Sequence, residues 1–271
     1  MSLISVLQLN RWFGRDIKLV AISFDNRVSD TFVKGNKEIL ANYDGAEKVI
    51  CLAPNIIAGF AGDYQTVEIL KKLKDFLNKN NRYKMCTNFL ADEIKKFIIQ
   101  NIANVNETDI VLVIKNYIGA RARVFKLTIP NNVFVELTTS EPYLIHSIGS
   151  SARVRNDVKC EFDCQDLREH ILYNGNSNID SPVTITKLLS YANLIASKDD
   201  DTVGDIFNAY YMNKKGWTNV GMAISHDNGD HFIASALTSN GIEVQVNGKH
   251  HMMFSSDNID VNKELQKKGG R

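Results

Sequence analysis

Charge of one sign is missing from this sequence: 32 Lys and Arg stand against 31 Asp and Glu, a formal net of +1, with no long run of either. A chain so balanced has no electrostatic footprint for nucleic acid or for an anionic membrane surface. Cysteine is scarce, at four in 271 residues, which argues against a disulfide framework and for a reducing compartment, the cytoplasm. Cys160 and Cys164 lie one helical turn apart, but no nearby histidine completes a ligand set, so no zinc site is expected. No apolar stretch reaches the ~20 residues of a membrane span. The first residues lack the basic-then-apolar pattern of a signal peptide. There is no internal repeat and no linker long enough to divide the chain. Residues 1–271 therefore read as a single domain, with an extra C-terminal β region from about 216–254. A chain of this length buries roughly three quarters of its unfolded surface and needs no staples.

What the sequence does contain is a distinctive hairpin, KVICLAPNIIAGFAG, from Lys48 to Gly62. Lys48 to Leu52 is β-prone, and Ala53-Pro54-Asn55 has the composition of a tight turn. Ile56 to Ala61 is apolar almost throughout, as in a strand buried on both faces. Gly59 and Gly62 interrupt it, and glycine within a strand marks a close approach of backbone or ligand.

Ahead of it, Leu3–Leu9 and Ile17–Phe24 are β-type runs with Gly14 between them. A turn centred on Phe13 and Gly14 would place Ser2 opposite Asp25. After Asp25-Asn26-Arg27-Val28-Ser29 comes a polar connection containing Lys34-Gly35-Asn36 and Asn42-Tyr43-Asp44-Gly45. Behind the Lys48 hairpin, Val67, Leu70, Leu73 and Leu77 recur at helical spacing, with Asp63 as an N-cap. Thr87 is placed to cap a second helix. Strands follow over 109–115, 120–129, 133–137 and 143–147, then helical stretches over 154–173 and 184–196. Strands resume at 220–225, 231–237 and 242–246. This order predicts an α+β fold, a four-layer αββα sandwich. His226-Asp227-Asn228-Gly229-Asp230-His231 reads as a hairpin tip with polar flanks rather than a metal site.

Two segments, AISFDNRVSD and EKVICLAPNIIAGFAGDYQTVEILKKL, resemble proteasome β-subunits and their HslV-type relatives, the threonine peptidases of the N-terminal-nucleophile hydrolase class. IGSSA and DDDTVG fall, in order, where that family has its Gly-Ser turn and its Asp-x-x-Ser-Gly-type loop. The resemblance covers roughly Ser2 to Gly204.

It implies a peptidase or amidohydrolase in which the first residue of the mature chain is the nucleophile and its own α-amine the base. Removal of Met1 would expose Ser2, a serine where the family has threonine. Carried over residue by residue, Asp25 and Lys48 would tune the amine and hydroxyl, and Gly59 would supply the oxyanion N–H. Ser150, Asp199 and Thr202 would form a hydrogen-bonded group near the amine, with Arg27 structural beside Asp199. The resemblance further implies a homo-oligomeric ring, an ATP-driven unfoldase as a possible partner, a peptide or amide substrate, and no metal or organic cofactor. Each residue also has a plain structural reading. Asp25 with Arg27 fits a strand-end charge pair, Lys48 a lysine blunting a sheet edge, the glycines close packing, Ser150 a helix cap and Asp199 a solvated helix end. A non-catalytic subunit of a ring is the corresponding alternative function.

Overall fold

The structure, a computed structural model, describes residues 2–12, 15–34, 37–43, 48–102, 105–116, 121–163, 182–204, 206–213, 216–225, 232–238, 241–246 and 249–254. Strands β1 (Leu3–Trp12) and β2 (Arg15–Asp25) form the first hairpin. Strands β3 (Val28–Lys34) and β4 (Lys37–Tyr43) form a ribbon that pairs only with itself. Then come β5 (Val49–Ala53), β6 (Ile56–Gly62), α1 (Thr66–Asn78) and α2 (Thr87–Asn101). Strands β7 (Thr108–Lys115), β8 (Ala122–Ile129), β9 (Val133–Glu136) and β10 (Tyr143–Gly149) lead to α3 (Ala152–Asp163) and α4 (Pro182–Ala196). The chain continues as β11 (Ile206–Asn213), β12 (Gly216–Ser225), β13 (Phe232–Thr238), β14 (Gly241–Val246) and β15 (Lys249–Phe254).

Two antiparallel sheets result, one ordered β10-β1-β2-β11-β12-β13-β14-β15 and the other β5-β6-β7-β8-β9. Strand alternation explains how β1, β2, β6 and β7 bury side chains on both faces. In the smaller sheet Ile50, Leu52, Phe60, Leu112 and Leu127 pack under Leu70, Leu73, Leu90 and Ile94 of α1 and α2. In the larger, Leu3, Leu7, Leu19 and Phe207 pack with Val158 and Phe162 of α3 and with Leu188 and Leu189 of α4. The intervening positions Ile4, Val6, Ile22, Ile57, Val111 and Val113 share a third apolar cluster.

The four-layer αββα sandwich expected from the element order does not hold as an account of the chain. The described residues make a mixed α/β protein, mostly strand, with two antiparallel sheets of unequal size and four helices. Two stretches make the difference. The supposed polar connection after Ser29 belongs in large part to the β3–β4 hairpin, which pairs from Val28↔Tyr43 to Lys34↔Lys37. Residues 206–213, unread as a strand, form β11 and dock on β2, and the C-terminal β region then continues this same sheet.

Smaller corrections concern the caps. Asp63 is not the N-cap of α1; its Oδ1 accepts the Gln65 N–H at 2.9 Å and its Oδ2 the Asn106 N–H at 3.0 Å, tying the helix entry to the loop before β7. Thr87 is the first residue of α2, buried, with Cys86 as N-cap. The end expected for the 154–173 helix, Cys164 and His226–His231 lie outside the described residues. No helix among those described is long and apolar enough to cross a membrane.

Candidate functional site

Asp25, the last residue of β2, is fully buried, and its carboxylate collects donors from four parts of the chain. Oδ1 accepts the Leu3 N–H at 2.7 Å. Oδ2 accepts the Lys48 ammonium at 2.7 Å, the Arg27 N–H at 3.1 Å and the Gly204 N–H at 3.3 Å. Lys48, just before β5, is 2% exposed, so the pair is shielded on both sides. A buried charge pair is tolerated only where further hydrogen bonds satisfy it, and Asp25 has three from backbone.

The hairpin brings the start of the chain here, with one residue of offset. Near the turn Trp12 pairs with Arg15 and Arg11 with Asp16, as a turn centred on Phe13 and Gly14 requires. An irregularity between Leu9 and Arg11 then shifts the register, so that Ile4 pairs with Phe24 and Leu3 comes opposite Asp25. Ser2 is therefore not the residue facing Asp25. Its carbonyl precedes the N–H that Asp25 binds, and Ser2 itself is buried.

Gly149 and Ser150 close over Ser2. Gly149 has φ +76°, and a Cβ there would stand 1.8 Å from the Ser2 carbonyl oxygen and 2.8 Å from Ala61 Cβ. Only glycine permits this approach. Ser150 is held at φ +42°, uncommon for a residue with a side chain. The Arg155 guanidinium fixes the turn by donating to the carbonyls of Gly149 at 2.8 Å and Ser150 at 3.0 Å. In that conformation Ser150 Oγ donates to Asp200 Oδ2 at 2.6 Å. Asp200 Oδ1 accepts the N–H of Thr202 at 3.1 Å and also its hydroxyl. Burial pushes the Asp200 carboxyl up, but the bonds from Ser150 and Thr202 and the positive charge of the amino terminus outweigh it and hold it below the usual carboxylate range. It is an anion at neutral pH.

Of the residues expected at the site, Ser2, Asp25, Lys48, Ser150 and Thr202 are thus brought to one end of the sheets. Arg27 joins them by donating to the carbonyls of Asp201 at 3.3 Å and Val203 at 3.2 Å, which pins the loop carrying Asp200. It was expected beside Asp199, which is exposed; the hydrogen bond to Ser150 is made by the neighbouring Asp200. Three successive aspartates gave no signal to choose between them.

Gly59 does not reach the site. It is paired with Val49 and Val111 in mid-sheet, and a Cβ on it would meet Ile22, Ile4 and Val49 at 3.2 Å each, inside the apolar cluster between the sheets. Gly62, the other glycine of the motif, lies at the exposed end of β6 with φ +134°. The Phe60 N–H donates to the Lys48 carbonyl at 3.0 Å. Because N–H directions repeat every second residue along a strand, the Gly62 N–H leaves the same edge of β6, past the first residue of β5 and on the Lys48 side.

Among the described residues no group of three or more His, Cys, Asp and Glu is placed to hold a metal. No protein-family model matches the chain, and no match was found among curated proteins.

Proposed function

We propose that the chain is an N-terminal-nucleophile amidohydrolase or peptidase of the kind the resemblance to proteasome β-subunits and HslV implies, with Ser2 as nucleophile. The observation that carries this reading is the buried Asp25 carboxylate, shared between the Lys48 ammonium and the peptide N–H that joins Ser2 to Leu3. Cleavage of the bond before Ser2 frees its α-amine, whose ordinary pKa near ~8 leaves a useful unprotonated fraction at neutral pH. Ser2 Oγ attacks the amide carbonyl while the amine accepts the hydroxyl proton. The Gly62 N–H receives the oxyanion in place of Gly59, a contribution on the order of 3 kcal/mol in such sites. Collapse breaks the C–N bond, the ammonium returns its proton to the leaving amine, and an ester remains on Ser2. Water, deprotonated by the same amine, hydrolyses that ester and restores the serine. The Asp200 carboxylate, held by Ser150 and Thr202, balances the charge on the amine. No metal or organic cofactor takes part.

The substrate class is a peptide or other amide. Assembly into a homo-oligomeric ring, and delivery of substrate by an ATP-driven unfoldase, follow from the resemblance alone. The scarcity of cysteine, four in 271 residues, supports a reducing, cytoplasmic setting. A non-catalytic ring subunit is the second reading, since the buried Asp25–Lys48 pair with its three backbone donors also serves as a purely structural tie. Intact mass of the native protein with an epoxyketone or β-lactone probe separates the two. The enzyme shows a mature chain starting at Ser2 with one covalent adduct on that residue. The scaffold retains the preceding residue and takes no adduct.

A further inference from the structure

We infer that a cleft at the opposite end of the two sheets binds a small hydroxylated organic phosphate. The cleft encloses about 510 Å³, within the range of small-molecule sites. It opens between the ends of β1 and β2 on one sheet and those of β7 and β8 on the other. At the strand rise of about 3.4 Å per residue it lies roughly 20 Å along β1 from Ser2, so it is no part of the site above.

Strand alternation makes its lining unexpected. Ile4, Val6, Ile22, Val111 and Val113 fill the space between the sheets. Continuing each row by two residues reaches Gln8 on β1 and Lys115 on β7, while the β2 row Ile22-Val20 ends at Lys18. Polar and cationic side chains therefore take over where the apolar rows would continue. Arg121, beside Ala122, adds a third cation, with one guanidinium nitrogen on the Thr139 carbonyl at 3.3 Å. No acidic side chain lines the cleft among the described residues. Gln8 is 2% exposed, and its Oε1 has no hydrogen-bond partner among the described residues. A buried acceptor left unpaired costs ~1–3 kcal/mol, which a ligand hydroxyl would recover by donating to it. Three cationic residues in one lining call for more than one negative charge, and a guanidinium among them suits phosphate oxygens. Val20 and Ala122 offer an apolar wall for the carbon skeleton.

Titration calorimetry of the intact protein with glucose 6-phosphate and with inorganic phosphate tests this. The expected result is saturable binding of both, the sugar phosphate being the tighter. Lys18→Gln and Lys115→Gln should each weaken both by about tenfold, the loss of one charge-assisted contact. Gln8→Leu should remove the advantage of the sugar phosphate and leave inorganic phosphate binding unchanged. Circular dichroism confirms that each variant is folded. Absence of saturable binding, or affinities unchanged in the folded lysine variants, overturns the site. Equal affinity for the two anions in the unaltered protein contradicts the role given to Gln8.

Discussion

The Lys48 ammonium stands 2.7 Å from the Asp25 carboxylate, with the two side chains 2% and 0% exposed. The pair links the residue before β5 to the end of β2, and Leu3 on the other carboxylate oxygen adds the start of β1. Removing either partner strands a charge away from water. Lys48→Met and Asp25→Asn are each expected to lower unfolding stability by about 3–5 kcal/mol. The double variant should cost clearly less than their sum, because neither charge is then left alone. Urea unfolding of the four proteins gives the coupling. Simple additivity would mean that the two groups do not act as a pair.

The two motif glycines should separate cleanly. Gly59→Ala adds a methyl facing Ile4, Ile22 and Val49, an overpacking cost of about 1–3 kcal/mol, with probe labelling of Ser2 retained. Gly62→Ala, at φ +134° and with its Cβ 2.4 Å from the Glu107 carbonyl, displaces the proposed oxyanion donor. A labelling rate at least tenfold lower is expected. Stopped time courses with the probe, alongside melting temperatures, measure both. The reverse pattern would return the oxyanion role to Gly59.

Asp200 and Asp199 are distinguishable in the same way. Asp200→Asn should slow labelling, and Asp199→Asn should leave it unchanged, since Asp199 is exposed. The Asp200 carboxyl is depressed in the folded protein, so its stabilising contribution is complete above the unfolded value of 3.8 and is lost as pH falls through the folded one. The Asp200→Asn variant should therefore lose less stability than the parent on acidification below that point. Equal acid sensitivity would contradict the hydrogen-bonded role of Asp200.

Much of the site's surroundings was legible because apolar alternation is strong there. The Lys48–Gly62 hairpin, α1 and α2 emerge close to their observed bounds from residues such as Leu70, Leu73 and Ile94. The first hairpin was legible too, but a bulge near Asn10 leaves no mark in composition, and it moved Asp25 from Ser2 to Leu3. Strand β11 escaped because both of its faces are covered by different chemistry. Phe207 and Tyr211 pack toward the helices, while Tyr210 stacks on Phe24 on the other side, so no simple apolar–polar alternation survives. The β3–β4 ribbon, in which polar residues interrupt the apolar ones, reads as a connection until its cross-strand partners are known. With these strands hidden, the layer count expected from element order could not describe the molecule.

His146 on β10 supplies a stability test independent of activity. Burial, with Lys126 and Arg155 nearby, holds its imidazole below the ordinary 6.5 against the opposing pull of Asp109. The folded state thus favours the neutral ring. Its contribution is complete above the unfolded value and is lost as pH falls through the folded one. Urea midpoints should fall between about pH 7.5 and about pH 5.5, and His146→Leu should flatten that interval. An unchanged slope in the variant would contradict the half-buried, neutral His146.

The hydrolase reading rests on one free amine beside one hydroxyl. Intact-mass and fragment spectra of the native protein after exposure to an epoxyketone test it most directly. The account predicts a chain beginning at Ser2 that carries a single adduct bridging its amine and Oγ, absent in Ser2→Ala and in any folded Lys48 variant. A chain still extended before Ser2, with no adduct under conditions that label a reference peptidase, would contradict it.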